Sequence, residues 1–153
     1  MKKINRIERE DIAALRRDFL DYEHMDNVAD EYQRISSKSA IYPGQGSPLG
    51  LAYCALKLNG EAGEFAEHCG KAMRDDGMMN GVYFDGGVVQ YDGTGPTPER
   101  RQAMLKEIGD QLWYLGAAAR ELGATLSECM VMNLEKLCDR TERDALRGSG
   151  DDR

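Results

Sequence analysis

Histidine is nearly absent from this sequence. His24 and His68 are the two present in 153 residues, too few for a metal centre built on imidazole. The four cysteines, Cys54, Cys69, Cys129 and Cys138, form no CxxC pair. Zinc sites and redox motifs need close pairs, so these thiols, each inside an apolar helical pattern, are expected to be reduced and buried. No apolar run reaches the length of a membrane-spanning helix, and Met1-Lys2-Lys3-Ile4-Asn5-Arg6 has no apolar core of the kind a signal peptide needs. Positive charge is in the minority: 20 lysines and arginines stand against 27 aspartates and glutamates, for a formal charge of −7. That balance disfavours nucleic acid and anionic membranes as partners. The expectation is a cytoplasmic protein with no nucleic-acid or membrane partner. A small anionic substrate stays open, because a divalent cation inverts the local sign of an acidic site.

The length suits one domain with a real core. Hydrophobic residues at 41% and charged residues at 31% make an ordinary globular balance. Residues 1–27 are charge-rich with weak helical periodicity at Ile12, Leu15 and Phe19, which predicts an N-terminal arm or helix packed on a partner subunit. A short helix from about Val28 to Ser37 follows a cap at Asp26 or Asn27. The glycines and prolines of Tyr42-Pro43-Gly44-Gln45-Gly46-Ser47-Pro48 read as a loop.

From Leu49 to about Asp75, apolar residues recur at helical spacing, among them Leu51, Cys54, Leu58, Phe65, Cys69 and Met73. A glycine-rich stretch at about 77–96 breaks that pattern. Within it, 82–84 and 88–91 flank Asp85-Gly86-Gly87 and predict a small β-hairpin, either a lid or an edge ornament. Thr97-Pro98 restarts a helix, whose main stripe is Leu105, Ile108, Leu112, Leu115, Ala119 and Leu122, and Gly123 ends it. The last helix opens with a capping box, Thr125-Leu126-Ser127-Glu128. It continues through Met130, Leu134 and Leu137 and frays near Arg147, leaving 148–153 as a disordered tail. The expected fold class is all-α: an antiparallel helical bundle with one β-hairpin inserted between its two acidic helices. So few helices leave apolar faces over, which predicts a homo-oligomer, dimer or tetramer.

Two acidic turns stand out from this frame. Glu61 and Glu64 are three residues apart, as are Glu107 and Asp110, so each pair shares one helix face. At 100° per residue, Glu61 lies about 60–80° from the centre of its helix's apolar stripe, with Glu64 further round. Glu107, Asp110 and Tyr114 line a face roughly 130° from the leucines of the later helix. With 27 acidic residues in mostly helical sequence, one such pair arises readily by chance on a solvated face. However, like charges one turn apart cost an exposed helix about 0.2–0.5 kcal/mol per pair, so helix stability does not select them. The helices are also consecutive, so an antiparallel hairpin brings the two pairs together.

Four converging carboxylates repel one another, and a hard divalent ion relieves the repulsion. All-oxygen donors suit Mg²⁺, with Mn²⁺ as a substitute. A di-iron bundle would want Glu-x-x-His on two helices, and the histidine count argues against it. Asn133, Lys136 and Arg140 share a face of the last helix, either as a solvated flank or as a clamp for phosphate oxygens. Lys71 and Arg74 are weaker candidates for the same work. Trp113 and Tyr114 are core aromatics or a stacking surface for a nucleobase, with Tyr83, Phe84 and Tyr91 of the hairpin as alternative lid contacts.

Taken in order, Tyr42-Pro43, Leu58-x-x-Glu61-x-Gly63-Glu64, Lys106-Glu107-x-Gly109-Asp110-x-Leu112-Trp113-Tyr114 and Asn133-Leu134-Glu135-Lys136-x-x-x-Arg140 resemble the MazG-like, all-α nucleoside triphosphate pyrophosphohydrolases. The resemblance covers roughly 28–75 and 99–143 and delimits a MazG-like domain at 28–147. It implies an oligomeric helical enzyme that uses Mg²⁺ to hydrolyse nucleoside triphosphates to monophosphate and pyrophosphate. By position it implies Glu61, Glu64, Glu107 and Asp110 as metal ligands, with Glu61 or Glu64 also taking a proton from water. Asn133, Lys136 and Arg140 match the family's phosphate-contacting helix. The hairpin insertion departs from compact members and bears on substrate access. The competing expectation is a non-catalytic helical oligomerisation module whose carboxylates hold a structural cation.

Overall fold

The computed structural model describes residues 28–79, 82–85, 88–91 and 95–142, with side chains described over 28–79 and 95–136. The expected N-terminal arm, the cap at Asp26 or Asn27 and the tail at 148–153 lie outside these residues. The regular elements among the described residues are α1 (Val28–Ser36), which runs on into a 3₁₀ turn (Ser37–Ser39), α2 (Pro48–Asp75), β1 (Val82–Asp85), β2 (Val88–Tyr91), α3 (Pro98–Glu121) and α4 (Leu126–Glu142). The strands pair antiparallel, Val82 opposite Tyr91 and Asp85 opposite Val88. The side chains of Tyr83, Phe84 and Tyr91 lie outside the described residues. No helix among the described residues is long and apolar enough to cross a membrane.

Two compact units divide the chain, Ala52–Tyr114 and the residues before and after it. Within Ala52–Tyr114, side chains of α2 and α3 meet in reversed order. Lys57 stands over the Tyr114 ring, 5.8 Å from its centroid. Glu61 and Glu64 approach Glu107, and Asp76 pairs with Arg100. Residue numbers rise along α2 as they fall along α3, so the two helices run antiparallel here.

The far end of this pairing is held by polar contacts that local sequence partly encodes. Thr97 caps α3, its Oγ1 accepting the Arg100 N–H at 3.3 Å, which satisfies one of the donors a helix start leaves over. Asp76 accepts from Thr97 N at 3.2 Å and from Arg100 Nε at 2.9 Å and Nη2 at 3.1 Å. This two-pronged guanidinium contact joins the end of α2 to the start of α3. It closes the segment that carries the strands.

In the other unit, α1 organises the start of α4. Gln33 is buried, and its amide donates to the carbonyls of Gly116 at 2.9 Å and Ala124 at 3.2 Å while accepting the Leu126 N–H at 3.0 Å. Asp30 accepts the next N–H, Ser127, at 3.0 Å. The expected capping box closes the set: Thr125 Oγ1 accepts Glu128 N at 3.1 Å and Glu128 Oε2 accepts Thr125 N at 2.7 Å. The α3 terminus is equally complete. Gly123 adopts φ +72°, and Ala124 N and Gly123 N donate back to the carbonyls of Ala119 and Arg120 at 2.9 and 3.0 Å, the paired pattern that a left-handed glycine permits.

The loop from Tyr42 to Ser47 is fastened to the end of α3. Tyr42 is buried and donates its hydroxyl to Glu121, whose second oxygen accepts the Gly46 N–H at 2.7 Å, and Arg120 donates to the Tyr42 hydroxyl at 2.9 Å. Gly50 is required by this closeness: a Cβ there would lie 2.5 Å from the Gly44 carbonyl oxygen and 2.9 Å from Glu121 Oε2.

Burial departs from the helical pattern in α3 and at the cysteines. The leucine stripe of α3 is not a core face within the chain: Leu105, Ile108, Leu112, Leu115 and Leu122 are 40–69% exposed, and Met130 and Leu134 of α4 are similarly open. Of that stripe Ala119 is buried, and Met104, Gly116 and Ala117 are the other buried residues of α3. An amphipathic pattern states that a face is apolar, and not which surface covers it. The cysteines differ for the same reason. Cys54 is fully buried, Cys69 is half-buried and Cys129 is exposed, all three as free thiols, while the Cys138 side chain lies outside the described residues.

Candidate metal centre

The two acidic turns meet. One carboxylate oxygen each from Glu61 and Glu64 of α2 and Glu107 of α3 lie within 4.8 Å of one another. Spacing alone puts Glu61 and Glu64 on one face of α2, and the antiparallel run of α3 brings Glu107 to it. Asp110, one turn further along α3, is exposed and stands outside the trio. Three of the four expected ligands are therefore brought together.

The three carboxylates have different surroundings. Glu61 is 12% exposed and pairs with Lys57 at 3.3 Å, one turn before it. Glu107 is 14% exposed, with His68 Nε2 3.8 Å from its Oε1. Glu64 is exposed and has no cationic partner among the described residues. Three like charges at this separation oppose one another by on the order of 1 kcal/mol per pair in water and several-fold more at lower effective dielectric. Lys57 offsets part of this charge. Its bond with Glu61 holds the ammonium pKa above the ordinary value, aided by Tyr114. Nearby, burial pushes the Tyr114 hydroxyl up, against the pull of Lys57.

The oxygen-only donor set fits a hard divalent ion. Among the described residues these three are the group that could hold one, and no nitrogen or sulfur donor joins them to favour zinc.

The remaining candidates fall at stated places. Trp113 and Tyr114 are half-buried and touch each other edge to face, centroids 4.8 Å apart at 79°. Lys71 pairs with Glu67 on its own helix, and Arg74 with Asp75, so each cation has a neighbouring acid. Asn133 and Lys136 are exposed on α4, in the other unit. Arg140 is on the same helix, with its side chain outside the described residues. Two further residues stand beside the trio: Lys57, which the sequence reading passed over, and His68, which it weighed only as an iron ligand. Both were visible as spacing: Lys57 lies four before Glu61, and His68 four after Glu64.

A curated relative, the Gene 37 protein of Mycobacterium phage L5, is 39% identical over 128 residues, which cover 81% of this chain and 97% of that protein. No family model and no solved structure matches the chain.

Proposed function

This chain belongs to the family of the Gene 37 protein of Mycobacterium phage L5, and we propose that it is a divalent-cation-dependent nucleoside triphosphate pyrophosphohydrolase. The reaction is hydrolysis of (d)NTP to (d)NMP and pyrophosphate, in the service of nucleotide-pool clean-up. The observation that carries this reading is the convergence of Glu61, Glu64 and Glu107 from two antiparallel helices. The motif resemblance to the MazG-like enzymes and their antiparallel all-α bundle supports it.

Glu61, Glu64 and Glu107, joined by Asp110 from one turn further along α3, would hold Mg²⁺ or Mn²⁺. When bound, such an ion supplies neutralisation of the triphosphate and a more acidic water. Glu61 and Glu107 each have a nitrogen-bearing neighbour and are mostly covered, which suits fixed ligands. Glu64 is exposed and has no cationic neighbour among the described residues, which suits a carboxylate that accepts a proton from the attacking water. The water oxygen bonds to phosphorus at the α–β anhydride, the bridging P–O bond breaks, and pyrophosphate leaves with the electron pair. Lys71 is assigned to the phosphate oxygens, and Trp113 with Tyr114 to stacking on the base.

A second reading is favoured by the open stripe Leu105, Ile108 and Leu112: a helical oligomerisation module with a structural cation at the trio. In either reading the stripe is assigned to a second copy of the chain. Pyrophosphate release from a panel of canonical and modified triphosphates, with Mg²⁺, Mn²⁺ or chelator, separates the two. Metal-dependent release that Glu64→Ala abolishes supports the hydrolase. Folded protein that binds the ion and releases nothing across the panel supports the module.

A further inference from the structure

We infer that His68 is a positioning residue for Glu107, holding one carboxylate oxygen so that the other is presented to a cation; this rests on the cation reading of the trio. His68 follows Glu64 by four residues and Glu61 by seven, so all three lie on one stripe of α2. Its imidazole reaches across to α3, with Nε2 3.8 Å from Glu107 Oε1. That is about 1 Å longer than a made N–H···O bond. In the inferred arrangement the carboxylate turns to close that distance.

The other ring nitrogen decides how the imidazole is used. His68 Nδ1 is buried and has no hydrogen-bond partner among the described residues. A neutral imidazole carries one donor and one acceptor nitrogen. A buried N–H with nothing to accept it loses its hydration without return, so the proton belongs on Nε2, where Glu107 stands ready to accept. The same atom argues against His68 as a metal ligand. A ligating histidine donates its second ring N–H to an acceptor that orients it, and no carboxylate or carbonyl among the described residues stands at Nδ1 to take one.

The geometry of the trio gives such a residue a task. Glu107 faces two other carboxylates and is pushed away from them before a cation arrives. A donor on one oxygen opposes that swing while leaving the second oxygen's lone pairs unused. Lys57 does the same for Glu61 from the other direction, at 3.3 Å. The two covered carboxylates thus each have one nitrogen beside them, and the exposed Glu64 has none among the described residues.

The test uses metal-free protein and Mn²⁺ alone, with calorimetry as the readout and no nucleotide present. His68→Leu keeps an apolar side chain at the position and removes the donor; His68→Gln restores an N–H near the place of Nε2. The expected result is Mn²⁺ binding 10–100-fold weaker for His68→Leu, the range seen for outer-shell partners of metal ligands, and largely restored by His68→Gln. The spin-echo spectrum of bound Mn²⁺ is expected to show no imidazole nitrogen coupling. Equal affinity in wild type and His68→Leu would overturn the inference, as would equal loss in both variants with unchanged helicity. Nitrogen coupling in the wild type that disappears in His68→Gln would make His68 a ligand instead. A wild-type protein that binds no Mn²⁺ sinks the cation reading itself, and this inference with it.

Discussion

Glu64 shows how one side chain separates function from stability. It is exposed and unpaired among the described residues, and it sits beside two other acids. Removing it relieves repulsion and breaks no hydrogen bond or ion pair among the described residues. Glu64→Ala is expected to leave the thermal midpoint in chelator unchanged or slightly raised, within about 0.5 kcal/mol, while turnover is lost. A melting curve and a pyrophosphate assay on the same sample check both halves. Asp76 behaves in the opposite way. Its bonds from Arg100, then from Thr97, hold its carboxyl below the ordinary 3.8. Because the folded-state value is the lower one, the stabilisation is complete above the ordinary value and is lost as pH falls through the depressed one. Asp30, held down chiefly by Ser127, and Glu121, held down chiefly by Tyr42, share that sign. Wild-type stability is expected to fall between about pH 5 and pH 3, and Asp76→Asn to fall less steeply over that range. Denaturant midpoints at several pH values measure the difference.

At the scale of elements, the helices were legible and their fastenings were only partly so. The capping box at Thr125 and Glu128 and the stop at Gly123 are short-range devices, readable from residues a turn apart. Gln33 and Asp30 are not readable in that way. They supply partners for Leu126 and Ser127 from more than ninety positions earlier, and no periodicity announces a glutamine that is buried for its hydrogen bonds. Gln33→Leu would leave the Gly116 and Ala124 carbonyls and the Leu126 N–H without it, at about 1–3 kcal/mol for unsatisfied buried groups. Thr125→Ala removes one cap bond at about 0.5–2 kcal/mol. Urea unfolding is expected to rank Gln33→Leu as the more damaging. Gly50→Ala belongs with it, since its Cβ would meet the Gly44 backbone oxygen at 2.5 Å and the backbone cannot step aside cheaply.

For the molecule as a whole, the open apolar residues of α3 are the feature with the largest consequence. Leu105, Ile108 and Leu112 fall at i, i+3 and i+7, one stripe 40–49% exposed. Covering each such side chain is worth about 1.5–3 kcal/mol when burial is complete, so association between copies has a ready driving force. Sedimentation is expected to show an oligomer, and Ile108→Glu to shift it towards monomer; a wild-type monomer at tens of micromolar would count against that assignment of the stripe. What neighbours along the chain control was settled before any fold existed: helix extents, the acidic turns, the cap and stop signals, and the presence of two different faces on α3. What depends on the surface opposite waited for the tertiary structure. The pairing of α2 with α3 chose three carboxylates of four, left Asp110 outside, set Lys57 and His68 beside Glu61 and Glu107, and turned the leucines outward. Local pattern records the chemistry of a face, and only packing supplies its partner.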